Sequence, residues 1–494
     1  MIKIDPARVV GRVDRRIFGG FIEHLGRCIY GGIYEEGSPL SDEHGHRRDV
    51  FDAIDAVKMP ILRWPGGNFV SGYHWLDGVG PVDQRPRKIE LAWGFEESNR
   101  FGTAELIRYC RMLGTEPYIC INMGTGTMDE AQAWVEYCNG TTNTHWANLR
   151  RSHGFPEPFG VKYWGLGNES YGTWQIGAMT PHEYARKARE YAKLMKLTDP
   201  SIELVSCGLD GLSTWDQIVI DSLIDLIDHH SIHIYTGSAD YYSNVFAPHT
   251  ADRALRVCRA MIERARYEKK IARPVYIAYD EWNVWYRERS EAARRRGIEE
   301  IYDLSDALAV ASYLNTFLRH CAAVKIANIA QLVNAIGTIF TRPDGMFLQT
   351  IYHPYLLYAR HTQPVVLDPW VDGPTYALDP ATETSPRPHR VADLGPFQLL
   401  DVTATRSEDG REYTVTVVNR DRDHAVPATL QIEGADRFAT ASVYEVNGDD
   451  PSTVNSFSQP TAVDVREKIL TVGSLPLTYA FPAHSVTVLR LVIQ

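Results

Sequence analysis

Few cysteines, no long apolar run and a shortage of positive charge set the first limits on this chain. Its seven cysteines, at positions 28, 110, 120, 138, 207, 258 and 321 of 494 residues, are scattered and include no Cys-x-x-Cys pair. Such a set builds neither a disulfide framework nor a cysteine zinc site, and reads as reduced, small apolar side chains in a reducing compartment. No segment reaches the ~18 consecutive apolar residues that cross a bilayer, and the opening stretch MIKIDPARVVGRVDRR lacks the apolar core of a signal peptide. A cytoplasmic protein with no membrane partner is expected. The 51 basic residues are outnumbered by 62 acidic ones, for a net charge of -11. That balance argues against nucleic acid as a partner and favours a neutral or cationic small molecule. No glycine-rich phosphate loop follows a strand and no His/Asp/Glu group has ligand spacing, so neither a metal nor an organic cofactor is expected.

What the chain does have is the composition of a large folded body, with 44% hydrophobic and 23% charged residues. Its aromatics are unevenly placed, ten of the eleven tryptophans lying at or before Trp285. Up to about residue 350, short β-like runs alternate with longer amphipathic stretches, the mark of repeated strand–helix units. The runs are Ile17 to Glu23, Ile61 to Gly67, Glu116 to Met123, Val161 to Glu169, Glu203 to Leu209, His229 to Tyr235, Pro274 to Glu281 and Ile326 to Asn334. They are eight, the number that closes a (β/α)8 TIM barrel. Thr180-Pro181-His182-Glu183 is a capping box with proline at the first helical position, and Asp306 to Ala322 has the apolar spacing of a helix on the barrel wall.

From about Tyr358 the texture changes. Twelve of the 27 prolines follow, among alternating runs such as Glu412 to Asn419, Phe438 to Val446 and Ser485 to Ile493, which predicts an all-β, jelly-roll-like sandwich. The alternation of Ile2, Lys3 and Ile4 predicts an N-terminal strand added to that sandwich. The expected division is 1–16 for this strand, 17–357 for the barrel and 358–494 for the sandwich.

In such barrels the chemistry sits where the strands end, and here those ends are polar. The first runs into Glu23-His24, the second into Gly66-Gly67-Asn68, the fourth into Asn168-Glu169 and the seventh into Asp280-Glu281, while the sixth carries His233 and Tyr235 and the eighth Gln331 and Asn334. Two carboxylates facing each other across a barrel mouth are what glycoside hydrolysis requires, one to protonate the leaving oxygen and one to attack the anomeric carbon or activate water. Glu169 and Glu281 are the natural pair. A lone strand-end glutamate is more often a helix cap or an ion-pair partner. These two stand out by context, Glu169 following Trp164-Gly165-Leu166-Gly167-Asn168 and Glu281 preceding Trp282, Asn283 and Trp285. Exposed tryptophans suit the C–H faces of a sugar, with core packing the equal alternative for Trp282.

Together the blocks FGGFIEHLGRCIYGGIYEEGSP, LRWPGGNFVSGYHWLDGVGP, YWGLGNESYGTWQIG, HIYTG, DEWNVWY and QLVNAIGTIF resemble the α-L-arabinofuranosidases of glycoside hydrolase family 51, in that family's order and along the whole chain. The resemblance implies a retaining exo-acting enzyme in which Glu169 is the general acid/base and Glu281 the nucleophile. It further implies that Asn168 binds the 2-hydroxyl of the furanose, and that Glu23, Asn68 and Gln331 bind other hydroxyls. Tyr235 would hold the nucleophile, Trp93 and Trp285 would shape the pocket, and Arg63 and His233 would support it. Read from the residues alone, Arg63 equally fits a buried acid's partner and His233 a satisfied core histidine. Arabinofuranosyl-containing oligosaccharides would be the substrates and a homo-oligomer, commonly a hexamer, the assembly.

The Glu281 charge should raise the pKa of Glu169, the pair titrating as one unit. The charged stretch Arg287 to Glu300 should be a solvated loop over the cleft. The same scaffold could instead serve a β-D-xylosidase, an endo-β-glucanase or an inactive sugar-binding protein.

Overall fold

The computed structural model describes residues 1–381 and 390–493. Eight parallel strands close into a barrel in sequence order: β1 (Gly19–Phe21), β2 (Ile61–Trp64), β3 (Glu116–Cys120), β4 (Tyr163–Leu166), β5 (Glu203–Ser206), β6 (His229–Thr236), β7 (Tyr276–Val284) and β8 (Val324–Ala330). Every predicted run overlaps its strand, and five contain it; the sixth and seventh strands run on past the predicted ends to Thr236 and Val284, and the eighth begins earlier, at Val324. The first is the least accurate, because Asp14 accepts from the Arg16 amide and turns Arg15–Phe18 into a 3-10 helix, so that only three residues remain for the ladder. Ile61, Tyr118, Tyr163, Val205, Ala278 and Ile326 form a separate apolar cluster contributed by six of the barrel strands.

The helices lie where the caps place them. Thr180 caps Pro181–Thr198 reciprocally with Glu183, and Asp303 caps Leu304–Arg319 in the same way with Asp306. The second of these is buried on nearly all sides because it lies between the barrel wall and a second body of sheet. Trp282 resolves to core. It is fully buried and packs on Tyr313, Phe317 and Tyr355.

That second body is a pair of sheets sharing one core. The larger has seven strands, in the order Val9–Arg12, Val365–Leu367, Leu400–Arg406, Glu412–Asn419, Ser485–Ile493, Arg437–Asn447 and Asp464–Ser474. The smaller has four, in the order Trp370–Val371, Ile2–Ile4, Val426–Ile432 and Leu477–Phe481. The N-terminal stretch therefore supplies a strand to each sheet, Ile2 and Ile4 pointing into the shared core. Barrel and sandwich are locked together by buried polar groups. Arg319 donates to Asp401 at 2.6 Å, and Asn315 donates to the Asp401 carbonyl while accepting from Thr403 and Tyr358.

No helix among the described residues is long and apolar enough to cross a membrane. The cysteines are all buried and unpaired.

Candidate active site

At the C-terminal ends of the strands a cleft of about 610 Å³ opens. Glu169 and Glu281 line it, together with Glu23, Asn68, Trp93, His233, Tyr235, Trp285 and Gln331. Asn168 and Arg63 lie beneath it, both about 1% exposed.

The two candidate glutamates reach the cleft by different routes. Glu169 follows Gly167, whose φ of +81° and close approach to Met123 suit only glycine, and Glu169 itself takes a φ of +40°. This turn swings both Asn168 and Glu169 inward from the end of β4. On β7 the pairing with β8 slips between Tyr279 and Trp282. The slip breaks the strict alternation of a strand, so the consecutive residues Asp280 and Glu281 both face the barrel interior while Trp282 faces the helices. The same extra residue on β7 shifts its register with β6 between Ser231 and His233 and sets His233 opposite Glu281.

A carboxylate oxygen of Glu169, a carboxylate oxygen of Glu281 and a ring nitrogen of His233 all lie within 4.8 Å of one another. Glu281 accepts from Arg63 at 2.6 Å on one oxygen and from Tyr235 at 2.9 Å on the other. The second Arg63 nitrogen donates to Asn168 Oδ1 at 2.6 Å, which fixes the amide and leaves its Nδ2, buried and without a protein partner among the described residues, to donate elsewhere. Arg63 thus both pairs with buried acids and orients the amide. Its guanidinium also stacks over Phe21 at 4.3 Å and lies 3.5 Å from Asp280.

Glu23 accepts from the Phe69 amide, from Trp93 Nε1 at 2.9 Å and from Gln331 Nε2 at 2.8 Å. Burial pushes its pKa up to about 7, these donors notwithstanding. Gly67 lies so close that a Cβ there would sit 2.8 Å from Glu23 Oε2. Gln331 Oε1 is buried and has no hydrogen-bond partner among the described residues. Asn68 is half-buried at the start of the short turn that follows β2.

His233 is not a bystander in the core. Its Nδ1 is 3.1 Å from Glu169 and 3.6 Å from Glu281, and its Nε2 is 3.2 Å from Asp280. Burial disfavours its charge, yet the surrounding carboxylates outweigh burial and raise the pKa to about 10. This overturns the expectation for Glu169. Burial raises its pKa, but the hydrogen bond and charge of His233, helped by Tyr171 and Trp174, hold it below the usual carboxylate range. The imidazole between the two glutamates is what the sequence could not reveal. With the ring protonated, the three side chains pair as a cation between two carboxylates.

Comparison with known proteins follows the same outline. A model of the α-L-arabinofuranosidase C-terminal domain matches residues 280–485, and a model of the α-L-arabinofuranosidase 1 domain matches residues 53–253. A probable α-L-arabinofuranosidase C of Aspergillus flavus is 45% identical over 99% of this chain and 97% of its own length. An intracellular exo-α-(1→5)-L-arabinofuranosidase of Halalkalibacterium halodurans is 39% identical over 84% of each chain. The solved structure of the family 51 α-L-arabinofuranosidase of Thermotoga petrophila superposes with a TM-score of 0.91 at 44% identity, covering 99% of both chains. This chain belongs to the α-L-arabinofuranosidases of glycoside hydrolase family 51.

Some residues of this arabinofuranosidase's cleft escaped the sequence reading. Tyr171 and Trp174 donate to the two oxygens of Glu169 at 3.0 and 3.1 Å. Their signal was present, since both fall within Asn168-Glu169-Ser170-Tyr171-Gly172-Thr173-Trp174. Tyr118, which donates to Asp280 at 2.7 Å, carries no such signal because it lies on β3, remote in sequence. The charged stretch also differs from expectation. Glu291–Arg295 is a helical turn capped by Ser290, and the fully buried Glu300 accepts from the amides of Tyr286, Arg287 and Glu288. Some of the stretch's charges are held in local pairs, such as Arg287 with Asp303 and Asp306, while Glu291, Arg295 and Arg296 are largely exposed, as expected of a solvated stretch. Arg289 and Arg294 line the cleft.

Proposed function

We propose that this protein releases terminal non-reducing α-L-arabinofuranosyl residues from arabinose-containing oligosaccharides with retention, using no metal or organic cofactor. The observation that carries this reading is the separation of the two glutamates. Carboxyl groups roughly 5 Å apart leave no room for a water between sugar and base, so one must attack the sugar directly. Glu281, held by Arg63 and Tyr235 with both oxygens engaged, is the nucleophile. Glu169 gives a proton to the leaving oxygen as the glycosidic bond breaks and the bond from C1 to Glu281 forms. In the second step Glu169 takes a proton from water, whose oxygen attacks C1 and returns the electron pair to Glu281. The open donor of Asn168 meets the 2-hydroxyl, while Glu23, Asn68 and Gln331 bind the remaining hydroxyls between the walls made by Trp93 and Trp285.

Support for a cytoplasmic location comes from the relative named intracellular, and a hexameric assembly rests on family membership. The division into 1–16, 17–357 and 358–494 is proposed on the strand pairing. Sedimentation of the purified protein tests the assembly.

The mechanism is tested by following product stereochemistry by NMR on an aryl arabinofuranoside, where initial release of the inverted anomer would sink it. Glu281→Ala should lose turnover on every substrate. Glu169→Ala should keep glycosylation of substrates with good leaving groups and recover with azide, and the opposite pattern would exchange the two roles.

A further inference from the structure

We propose that His233 is a positioning residue that stores the catalytic proton, holding it on the Nδ1···Oε1 hydrogen bond to Glu169 between turnovers. This rests on the reading of Glu169 as the acid/base.

The geometry makes the case. Both ring nitrogens of His233 face carboxylates, Nε2 at 3.2 Å from Asp280 and Nδ1 at 3.1 Å from Glu169. A neutral imidazole has a single N–H, and a carboxylate has none. Asp280 is already donated to by Tyr118 and lies beside Arg63, so it is ionised and the Nε2 side must supply a hydrogen. The contact from Nδ1 to Glu169 then requires one more proton, which has two homes. Either the ring is an imidazolium beside a carboxylate, or it is a neutral imidazole beside a carboxylic acid. The first is the resting form. The second is the acid that glycoside cleavage needs. The His233 side chain is 3% exposed and that of Glu169 15%, so the inner oxygen of Glu169 meets this ring and not bulk water.

The charged and titratable groups facing the ring are few. Asp280 and Glu281 on β7 and Glu169 after β4 are the anions, and Arg63 on β2 is the cation. Tyr118, Tyr171 and Tyr235 stand around these carboxylates as hydrogen-bond donors, kept neutral by burial. The anions explain why the proton rests on the ring, and the short path to Glu169 explains how it is used.

The step balances as follows. The Nδ1 proton passes to Glu169, leaving neutral imidazole and carboxylic acid. That proton goes to the glycosidic oxygen as its bond to C1 breaks, and Glu281 forms the new bond to C1. Water later attacks C1, its proton going to Glu169 and back to Nδ1, while the C1–Glu281 bond breaks and its electron pair returns to Glu281. The ring is neither consumed nor oxidised.

The test is the pH dependence of kcat/KM for His233→Asn, which keeps an N–H near the Nδ1 position and removes the titrating ring. Without the ring, Glu169 must hold its own proton, and as a carboxyl group it releases it at lower pH. For an arabino-oligosaccharide with a poor leaving group, the basic limb should move down by about two pH units, with roughly a 100-fold loss at pH 8 and less than about tenfold at pH 5. A 2,4-dinitrophenyl arabinofuranoside, which needs no acid, should lose the same factor at pH 5 as at pH 8, so that the pH-dependent part of the loss is confined to the poor substrate. An unmoved basic limb, or equal loss on both substrates at every pH, would overturn the proposal. Should the variant not fold, the wild-type profile decides. Its basic limb on the poor substrate should lie above about pH 8, and one below that refutes proton storage on the ring. Azide rescue of Glu169→Ala separates the two readings. If rescue fails, the assignment of Glu169 is wrong. If rescue holds while the His233→Asn profile matches wild type, only the role of His233 is wrong.

Discussion

Arg63→Lys tests how the site is held together. The two Arg63 Nη nitrogens serve two different residues, Glu281 Oε1 and Asn168 Oδ1, each at 2.6 Å. A lysine ammonium keeps the charge that Asp280 and Glu281 require but cannot span both acceptors, because its three hydrogens radiate from one atom. The stronger demand is that of Glu281, a buried carboxylate, so the bond to Asn168 is the one lost. A hydrogen bond to a charged partner contributes about 1.5–3 kcal/mol. Losing about 2 kcal/mol of orientation on the amide that meets the sugar corresponds to roughly a 30-fold fall in kcat/KM. The assay is steady-state hydrolysis of an aryl α-L-arabinofuranoside by wild type, Arg63→Lys, Asn168→Ala and the double variant. If Arg63 acts through Asn168, the double variant should be no worse than the poorer single one, because the shared interaction is removed once. Arg63→Lys within about threefold of wild type, or losses that simply add, would refute the argument.

Other parts of the molecule make separate predictions. Asp401→Asn removes the buried carboxylate that Arg319 holds at 2.6 Å and that Arg420 approaches at 4.0 Å. It should cost about 3 kcal/mol of stability in thermal or denaturant unfolding while leaving kcat/KM within a factor of about two. The neighbouring arginines depress the pKa of Asp401 in the fold. Its contribution is therefore present above the unfolded pKa of about 4 and is lost as pH falls below it, so wild type and variant should converge in stability in acid. Gly167→Ala places a Cβ 2.6 Å from Met123 Cγ at a φ of +81°. That strain should destabilise the fold by about 2 kcal/mol or more. Because the displaced turn carries Asn168 and Glu169, kcat should fall with the melting temperature, whereas an active, stable variant would show that the turn is not strained.

The barrel was legible in the sequence because its strands are buried on both faces and so stand out as short apolar runs between amphipathic stretches. The Thr180 capping box was legible for a different reason, since a cap is a local pattern whose hydrogen bonds close within three residues. Glu169 and Glu281 were legible because each sits where its run stops. Tyr118 was not, and Asp280 was legible only as a polar strand end, because each takes its role from a partner on another strand. Glu300, at the end of the charged stretch after Trp285, was misread for the same reason, since a carboxylate is exposed or buried according to which amides turn toward it.

Order along the chain and the residue types at the strand ends determined the class of fold and the chemistry available to it. Charge state was left to the tertiary structure. Sequence places two glutamates and predicts mutual repulsion, but the slip in β7 brings His233 and Asp280 into the same few ångströms. Electrostatic energy falls with distance and grows with burial, and neither quantity is written in the order of residues.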